Sequence, residues 1–396
     1  MSSSIAIGFS QAEDPQEAAY QASMIVKNQM NSHSIDMAIL FVSIHYAKPE
    51  ILDVIKSILN PTRLVGSSTA GIILSHGIFN RGLAILAINS SSVNFGIGSA
   101  LYSPEDNPRN FGFELGRKIS LDLKSSFLRQ ASVILCDGLF QYNNQFILGA
   151  RESLGYSFPL AGAFACDNFK LKETFQFHQK EIYSNAAVGL LIGSDNHVAF
   201  SNKHVFKPLG KPRVITVAEG HIIRTVDHKP AISIYEEYLK DDAINLKNVF
   251  SSSPAALYPL GIYVEKLRQY LLRYPVDILS DGSIVCQADI PQDSEVHLTI
   301  SNKDSFKNAA TAAAQEVKEA LGGHQAKLLI IFESMIRHKM LGRHSLLEIH
   351  AIREILGYST PMIGMYSFGE LCPLGLGDSP TETYLQNGSI LLLAIS

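Results

Sequence analysis

Residues 64–69 read Leu-Val-Gly-Ser-Ser-Thr, an apolar run with a glycine after which small polar residues follow. Similar runs, each after a helix-like stretch, occupy 159–164 (Pro-Leu-Ala-Gly-Ala-Phe), 361–366 (Pro-Met-Ile-Gly-Met-Tyr) and, in a shorter form, 258–263 (Tyr-Pro-Leu-Gly-Ile-Tyr). Their glycines are spaced by roughly one hundred residues: Gly66, Gly162, Gly261 and Gly364. The spacing predicts an internal repeat with four copies.

The residues around Gly66 predict the element order β-α-β-α-β-β. Apolar runs typical of strands alternate with amphipathic stretches typical of helices at 5–9, 16–29, 37–42, 49–60, the Gly66 strand and 83–88. The second copy repeats the order at 93–101, 111–123, 132–135, 145–154, the Gly162 strand, 174–177 and 187–192. The last copy repeats it at 295–300, 305–321, 328–332, 346–356, the Gly364 strand and 390–395. Near-continuous apolar strands that alternate with helices predict an α/β fold, with helices packed on mixed sheets.

Residues 196–292 depart from this order. They contain hairpin-like runs at 214–217 and 222–226, a helix near 231–239 and a turn at Asp281-Gly282. If the four copies pair in order, the segment 207–212 is the boundary between two domains. We therefore predict a first domain of two repeats at 1–206 and a second domain, with one degenerate and one regular repeat, at 207–396.

The composition argues against several classes of function. With 396 residues, 46% hydrophobic and 18% charged, the chain can bury a large core and is long for one domain. A net charge near −4, with Lys and Arg scattered among Asp and Glu, gives no basic field for nucleic acid. The longest apolar runs are too short to cross a bilayer, and residues 1–10 lack the features of a secretory signal. We expect a cytosolic protein.

Three segments near the repeat glycines form an ordered set: 66–71 (Gly-Ser-Ser-Thr-Ala-Gly), Gly162 with Asp167, and 364–370 (Gly-Met-Tyr-Ser-Phe-Gly-Glu). By their order and spacing together they resemble the FIST family. Further segments are similar to the opening of that family's C-terminal domain: 212–218, Pro230-Ala231, Leu260-Gly261 and 281–283. The resemblance covers nearly the whole chain, as a FIST N-terminal domain followed by a FIST C-terminal domain.

The resemblance implies ligand sensing in bacterial and archaeal signal transduction, where such domains occur alone or beside kinase and cyclic-nucleotide output modules. Some members are suggested to bind amino acids or similar small molecules, and others to hold haem and sense nitric oxide. Neither output module is recognisable in this sequence. We therefore expect the signal to pass to a separate partner, such as a histidine kinase or a cyclic-nucleotide enzyme.

Hydroxyl side chains follow the first repeat glycine. In an extended strand Ser67 and Thr69 face one side and Ser68 the other. Beside the flexible Gly71, such a segment could hold an anion or an amide, which makes Ser68 and Thr69 candidate ligand contacts. The alternative is that these hydroxyls only satisfy local backbone groups near a bend.

The last copy carries Tyr366, Ser367 and Glu370 after its glycine. A carboxylate in an otherwise apolar strand needs a partner when it is buried, and Arg337 is the leading partner. Arg337 follows the strand 328–332, at whose carboxyl end ligands usually bind in α/β sheets, so it is also a ligand candidate. The alternative is a structural Arg–Glu pair that closes the domain.

Two further residues complete the predicted site. Asp167 matches a family position, whereas Asp137-Gly138 is typical of a turn. Asn387 matches a recurring family asparagine, although Gln386 stands where the family has histidine and Ser389 where threonine is usual. The predicted ligand contacts are Ser68, Thr69, Asp167, Arg337, Tyr366, Ser367, Glu370 and Asn387.

The thirteen histidines keep haem open as a cofactor. A neutral histidine in a pocket with large apolar walls can ligate haem iron. The possible ligands are His204, His221, His228 and His338. Nothing in the sequence selects one of them, and a surface or hydrogen-bonded core position is the ordinary alternative for each.

Catalysis and pure protein binding are the rival classes of function. Ser68, a histidine and Asp167 could form a hydrolase triad, but no nucleophile-elbow sequence is present. Cys166 is a weak candidate nucleophile, because the neighbouring acid would raise its pKa. No phosphate loop or dinucleotide fingerprint occurs either. We therefore expect no enzyme, while a scaffold that only binds another protein stays open.

Overall fold

The structure is a computed structural model that describes residues 3–31, 33–168, 170–239, 258–374 and 382–396. The first repeat consists of β1 (Ser4–Ser10), α1 (Pro15–Met30), β2 (Met37–Ser43), α2 (Glu50–Leu59), β3 (Leu64–Thr69), β4 (Ile72–Leu74), β5 (Gly77–Phe79) and β6 (Leu83–Asn89). Helix α1 begins where the sequence predicts, because Asp14 accepts a hydrogen bond from the Glu17 N–H at 2.8 Å and Pro15 occupies the first helical turn.

The second repeat has the same order. It consists of β7 (Val93–Leu101), α3 (Pro108–Asp122), β8 (Arg129–Cys136), α4 (Asn143–Leu154), β9 (Leu160–Phe164), β10 (Gln176–His178), β11 (Glu181–Tyr183) and β12 (Ala186–Ser194). In both repeats a short hairpin, β4–β5 or β10–β11, lies between the glycine strand and the last strand. The predicted order contains the other elements but not this complete hairpin.

The third repeat is divided along the chain. Its first strand, β13 (Val198–His204), precedes an inserted segment of β14 (Lys207–Glu219), β15 (Ile222–Val226), β16 (Lys229–Pro230), α5 (Ser233–Leu239), β17 (Leu260–Val264), β18 (Gln269–Arg273), β19 (Pro275–Ile278), β20 (Ile284–Cys286) and β21 (Glu295–Ile300). The repeat then continues with α6 (Lys303–Ala320), β22 (Leu328–Ser334), α7 (Met335–Leu341), α8 (Leu346–Leu356), β23 (Met362–Ser367), β24 (Gly369–Leu374), β25 (Glu382–Gln386) and β26 (Ser389–Ile395).

The prediction that residues 295–300 open the last repeat is wrong. These residues form β21, which pairs with β14 and β17 in the inserted antiparallel sheet. The opening strand is β13 instead, because it pairs antiparallel with β26 just as β1 pairs with β6. The predicted hairpin is confirmed as β14–β15.

Strand pairing also bears on the predicted boundary near residue 206. The segment 207–212 forms the start of β14, and β13 on one side of the boundary pairs with β26 on the other. The domain limits at 1–206 and 207–396 stay a prediction from the sequence. The pairing shows that the third repeat has strands on both sides of them.

Each repeat gives its hairpin to the sheet of another repeat. The three sheets have the strand orders β1-β6-β2-β3-β10-β11, β7-β12-β8-β9-β24-β25 and β13-β26-β22-β23-β4-β5. The second repeat thus extends the sheet of the first, the third extends that of the second, and the first extends that of the third. The exchange joins the three repeats in a ring.

The inner faces of the three sheets share one apolar core. Phe41, Leu135 and Phe332, which hold equivalent positions in β2, β8 and β22, all belong to it. The outer faces are covered by α1 and α2, by α3 and α4, and by α6 and α8. The two-domain α/β architecture with helices on mixed sheets, predicted from the sequence, is confirmed.

Three of the four repeat glycines occupy equivalent positions in their repeats. Gly66, Gly162 and Gly364 lie in strands that pair in parallel with the preceding central strand, opposite Leu40, Ile134 and Ile331. A Cβ atom on these glycines would come within 2.3, 1.9 and 2.6 Å of the carbonyl oxygen of that partner. A larger residue would therefore force the two strands apart.

Gly261 is not a fourth glycine of this kind. It lies in β17, which pairs antiparallel with both neighbours, and a Cβ atom there would meet the Thr299 side chain at 2.7 Å. The described residues between 207 and 300 form an inserted sheet with its own apolar core. The described residues therefore form three such repeats and one insertion.

Candidate functional site

Charged and hydroxyl side chains gather where β22 and β23 end. Because these strands are parallel, Glu333 pairs with Tyr366, and Ser334 with Ser367, at the same edge of the sheet. We call this group the third-repeat polar cluster and define it by the buried side chains of Glu333, Arg337, Glu348, Tyr366, Ser367, Glu370, Asn387 and Ser389.

Two serines hold the Glu370 carboxyl group. Ser367 Oγ donates to Oε1 at 2.6 Å, and Ser389 donates to Oε2 from its hydroxyl at 2.7 Å and from its backbone N–H at 3.2 Å. Burial raises the pKa of Glu370 to about 8, although these hydrogen bonds and Arg337 act in the opposite direction. The carboxyl group is therefore mostly protonated at neutral pH.

Arg337 lies in the first turn of α7 and is fully buried. Its Nη2 donates to Glu348 Oε1 on α8, and its Nε lies 3.6 Å from Glu333 Oε1. Its guanidinium carbon lies 4.8 Å from the centre of the Phe306 ring. The predicted ion pair between Arg337 and Glu370 does not form among the described residues. Glu370 is bound by two serines, and Arg337 pairs instead with Glu348 and with Glu333, which precedes it by four residues.

Six buried polar atoms of the cluster make no hydrogen bond within the part of the chain that the structure describes: Glu333 Oε1 and Oε2, Arg337 Nε, Glu348 Oε2, Tyr366 Oη and Asn387 Oδ1. Leaving one buried polar group unpaired costs about 1–3 kcal/mol. Burial and the neighbouring Glu348 raise the pKa of Glu333, which favours its protonated form. Atoms of this kind mark a place that water or a ligand can satisfy.

The cluster borders the first repeat. His338 packs on Tyr366 with 4.6 Å between ring centroids, and its Nε2 lies 3.1 Å from Oδ1 of Asn80, which follows β5. Thr69, at the end of β3, has its hydroxyl oxygen 2.7 Å from the Tyr366 carbonyl oxygen and 2.8 Å from that of Gly71. The predicted contacts Thr69 and Tyr366 therefore lie together, although the sequence places them in different domains.

Two predicted contacts bind backbone N–H groups outside the cluster. Ser68 Oγ accepts a hydrogen bond from the Phe175 N–H at 2.9 Å, where the neighbouring hairpin joins β3. The Asp167 carboxylate accepts from the N–H groups of Leu171 and Lys172 at 3.0 and 2.7 Å. The Asp167 contacts are local, whereas Ser68 binds a backbone group 107 positions away, in the second repeat.

Asn387 combines a structural contact with an unpaired atom in the cluster. Its Nδ2 donates to the Phe368 carbonyl oxygen at 2.9 Å, which fixes the turn before β26, while its Oδ1 is unpaired among the described residues. Of the predicted contacts, the structure thus gathers Thr69, Arg337, Tyr366, Ser367, Glu370 and Asn387 at the end of β22 and β23.

Glu333, Glu348 and Asn80 are part of this region but are not among the predicted contacts. For Glu333 a signal existed, since it ends an apolar strand and precedes Arg337 by four residues, the spacing of a helical ion pair. Glu348 and Asn80 carry no such signal, because their contacts are made across the fold.

The candidate haem histidines differ in their surroundings. His338 uses both ring nitrogens, with Nδ1 3.0 Å from Ser345 Oγ. His204 is half-buried, its Nδ1 has no hydrogen-bond partner among the described residues, and desolvation of the ring lowers its pKa to about 4. His221 is partly buried, and His228 is exposed.

In the described ranges, no group of three or more His, Cys, Asp or Glu side chains is arranged to hold a metal ion. The helices in these ranges also fall short of the length and apolar character that a membrane crossing requires.

Comparisons with known proteins match the two halves of the chain separately. The FIST N domain matches residues 36–229, and the FIST C domain matches residues 231–373. No curated protein matches the chain in sequence.

Two solved structures are remotely similar to the chain. One, described as "Cyanuric acid hydrolase: evolutionary innovation by structural concatenation", has a TM-score of 0.38 and 8% identity, with 100% of both chains covered. The other, "Structure of PurLQS from Thermotoga maritima", has a TM-score of 0.22 and 8% identity, covering 100% of this chain and 72% of that one. Both scores are too low to support an inference about activity.

The FIST matches therefore carry the assignment. They follow each other in the order that the sequence motifs predict, and together they span most of the chain. FIST domains are sensory domains in signal transduction. This chain belongs to the FIST family.

Proposed function

We propose that the chain is a cytosolic small-ligand sensory protein whose ligand binds at the third-repeat polar cluster. The observation that supports this proposal is the group of six buried polar atoms without hydrogen bonds among the described residues, at one edge of one sheet. Four of the six belong to two acids and one arginine that share ion pairs. In α/β proteins the carboxyl ends of parallel strands are also where ligands commonly bind.

The chemistry of the unpaired atoms suggests the class of ligand. Three are carboxyl oxygens of Glu333 and Glu348, and a fourth is the amide oxygen of Asn387. Glu348 Oε2, Asn387 Oδ1 and the unprotonated oxygen of Glu333 accept hydrogen bonds, so the fitting ligand carries amine or amide N–H groups. Amino acids and related small amines have this character, in agreement with the suggestions for other members of the family.

The position of the cluster suggests how binding could be transmitted. Asn80 and Thr69 of the first repeat contact His338 and Tyr366 of the third. Because the cluster is buried, a ligand can enter only if these contacts open, so ligand binding would favour one arrangement of the two repeats over another. A partner protein, such as a histidine kinase or a cyclic-nucleotide enzyme, would then read this change.

We propose a binding function rather than catalysis. The hydroxyl of Ser68 and the carboxylate of Asp167 are occupied by backbone N–H groups, so the hypothetical triad has no support from their contacts. Cys166 is buried.

A thermal-shift screen with amino acids, primary amines and organic anions tests the proposal. A ligand present at a hundred times its Kd stabilises the folded state by about 2.7 kcal/mol. We expect an amine-bearing compound to stabilise the native protein and the control variant Glu354→Gln, which changes an exposed residue of α8. Glu333→Gln should abolish the shift. Equal stabilisation of both variants would place the ligand elsewhere, and a screen without any amine hit would contradict the proposed ligand class.

A haem-based nitric oxide sensor is the second candidate function. Its one supporting observation is that Nδ1 of the neutral, half-buried His204 is unpaired among the described residues. Titration with haemin should then give a stoichiometric Soret band that is lost in His204→Ala and kept in His228→Ala. Absence of the band would refute this candidate without affecting the amine proposal.

A further inference from the structure

The second repeat contains an open pocket at the carboxyl end of β8. Its volume is about 190 Å³, which equals the liquid volume of roughly six water molecules. Loop residues on three sides line it: Tyr102 after β7, Asp137 to Tyr142 after β8, and Asn185 before β12. We call it the second-repeat aromatic pocket.

Aromatic rings form much of its wall. Tyr102 and Phe140 meet edge to face with 4.9 Å between ring centroids, and Tyr142 lies 6.1 Å from Phe140. Phe111 and Phe146 support Phe140 from behind, at 5.3 and 5.9 Å. The inner rings are therefore held by packing, while Tyr142 is 48% exposed and lies at the entrance.

An acid lies at the base of the pocket. Asp137 is only 4% exposed, and its two oxygens accept from the N–H groups of Leu139 and Asn185 at 2.7 and 2.9 Å. These two backbone hydrogen bonds hold the carboxylate in place.

The surroundings of the pocket are acidic as well. Glu105 and Asp106 are close enough to Tyr102 to help burial raise the pKa of its hydroxyl. None of the described residues that line the pocket is Lys or Arg. A negative potential around aromatic faces favours a positively charged guest.

We propose that the second-repeat aromatic pocket binds a small organic ammonium ion of the trimethylammonium type. The rings of Tyr102, Phe140 and Tyr142 contact its methyl groups and stabilise its charge through cation–π interactions, and Asp137 balances that charge from below. The volume suits an ammonium head group rather than a large ligand. This site shares no residue with the third-repeat polar cluster, so it stands or fails independently of the ligand proposed there.

The comparison of repeats supports a binding role for the acid. Asp137 stands three residues beyond Ile134, the partner of Gly162; the corresponding residues are Ser43 in the first repeat and Ser334 in the third. The frame therefore does not require an acid at this position. An acid that lines the same pocket as three aromatic residues is particular to the second repeat.

Calorimetric titration with choline, and with its neutral carbon isostere 3,3-dimethylbutan-1-ol, tests the charge requirement. We expect choline to bind with one-to-one stoichiometry and the isostere to bind at least tenfold more weakly. Tyr142→Leu should lower the choline affinity about three- to tenfold, since one exposed ring contributes a modest cation–π term. Tyr156→Leu is the matched control, because Tyr156 is 56% exposed and lies beyond α4, outside the pocket.

Asp137→Asn should weaken choline binding further, and circular dichroism establishes whether that variant is folded. Sedimentation with phosphatidylcholine vesicles, with and without free choline, separates a lipid head group from a free ion as the source. Vesicle binding that choline displaces would support the site with a lipid ligand. No choline binding, equal binding of the isostere, or unchanged affinity in Tyr142→Leu would overturn the proposal.

Discussion

The second and third repeats share one backbone frame and differ in the side chains at its edge. In both, a central strand ends beside the strand of the repeat glycine, β8 beside β9 and β22 beside β23. The second repeat has an acid satisfied by backbone N–H groups beneath an open aromatic pocket. The third has three acids and an arginine shut away from solvent. The frame thus sets where a site can form, and a few side chains decide whether it is open or closed.

Removal of the buried cation is the strongest test of the closed cluster. We expect Arg337→Met to lower the free energy of unfolding by about 3–5 kcal/mol, because the fully buried Glu348 would lose its positive partner. Urea denaturation measures the loss, with the exposed Arg343→Met as control. Adding Glu348→Gln to Arg337→Met should recover part of the stability. A loss below about 1 kcal/mol would show that the ion pairs are not needed.

Insertion of a methyl group tests the shared frame itself. Gly162→Ala should cost about 3 kcal/mol, since its Cβ would lie 1.9 Å from the Ile134 carbonyl oxygen and its φ of +143° is unfavourable for alanine. Gly323 also has a positive φ, but a Cβ added there would meet no described atom within 4 Å. Gly323→Ala should therefore cost only about 1 kcal/mol. Similar thermal shifts for the two variants would contradict the close-approach argument.

The pH dependence of stability should report on the buried Glu370 of the third-repeat polar cluster. In the folded state the pKa of Glu370 is about 8, above its ordinary value of 4.5, so the folded protein binds more protons than the unfolded chain between these values. Stability should accordingly fall by about 1.4 kcal/mol per unit as pH rises from about 5 towards 8.

Glu370→Gln removes this titration and should flatten that part of the profile, as measured by urea unfolding at each pH. Glu354→Gln, at an exposed position, should keep the slope of the native protein. A slope that persists in Glu370→Gln would assign the titration to another buried group, such as Glu333.

The smallest expected effect concerns the junction of the first and third repeats. Thr69→Val removes the hydroxyl that lies 2.7 Å from the Tyr366 carbonyl oxygen, at a cost of about 1 kcal/mol. Thr311→Val, on the outer helix α6, should cost less because its hydroxyl contacts only its own helix. Equal losses in thermal unfolding would mean that the junction contact adds nothing particular.

The local pattern predicted most elements but not every assignment. Residues 93–101 are β7 as predicted, because Val93, Phe95 and Ile97 alternate along the run and place their side chains in the shared core. Residues 295–300 are a strand as well, yet they belong to the inserted sheet, since strand character does not specify a pairing partner. Arg337 shows the same limit of local pattern. The sequence places it after β22, but it does not identify Glu348 as the partner of its guanidinium group.

By itself, the sequence determined the order of strands and helices, the positions of the repeat glycines and the FIST assignment. These features depend on local apolar periodicity and on short motifs, which can be recognised in the sequence without knowledge of the fold. The tertiary structure alone decided the exchange of hairpins, the count of equivalent repeats and the membership of the polar cluster. The physical reason is sequence distance: Thr69 and Tyr366 are separated by 297 positions, and only packing of the three sheets around one core brings them into contact.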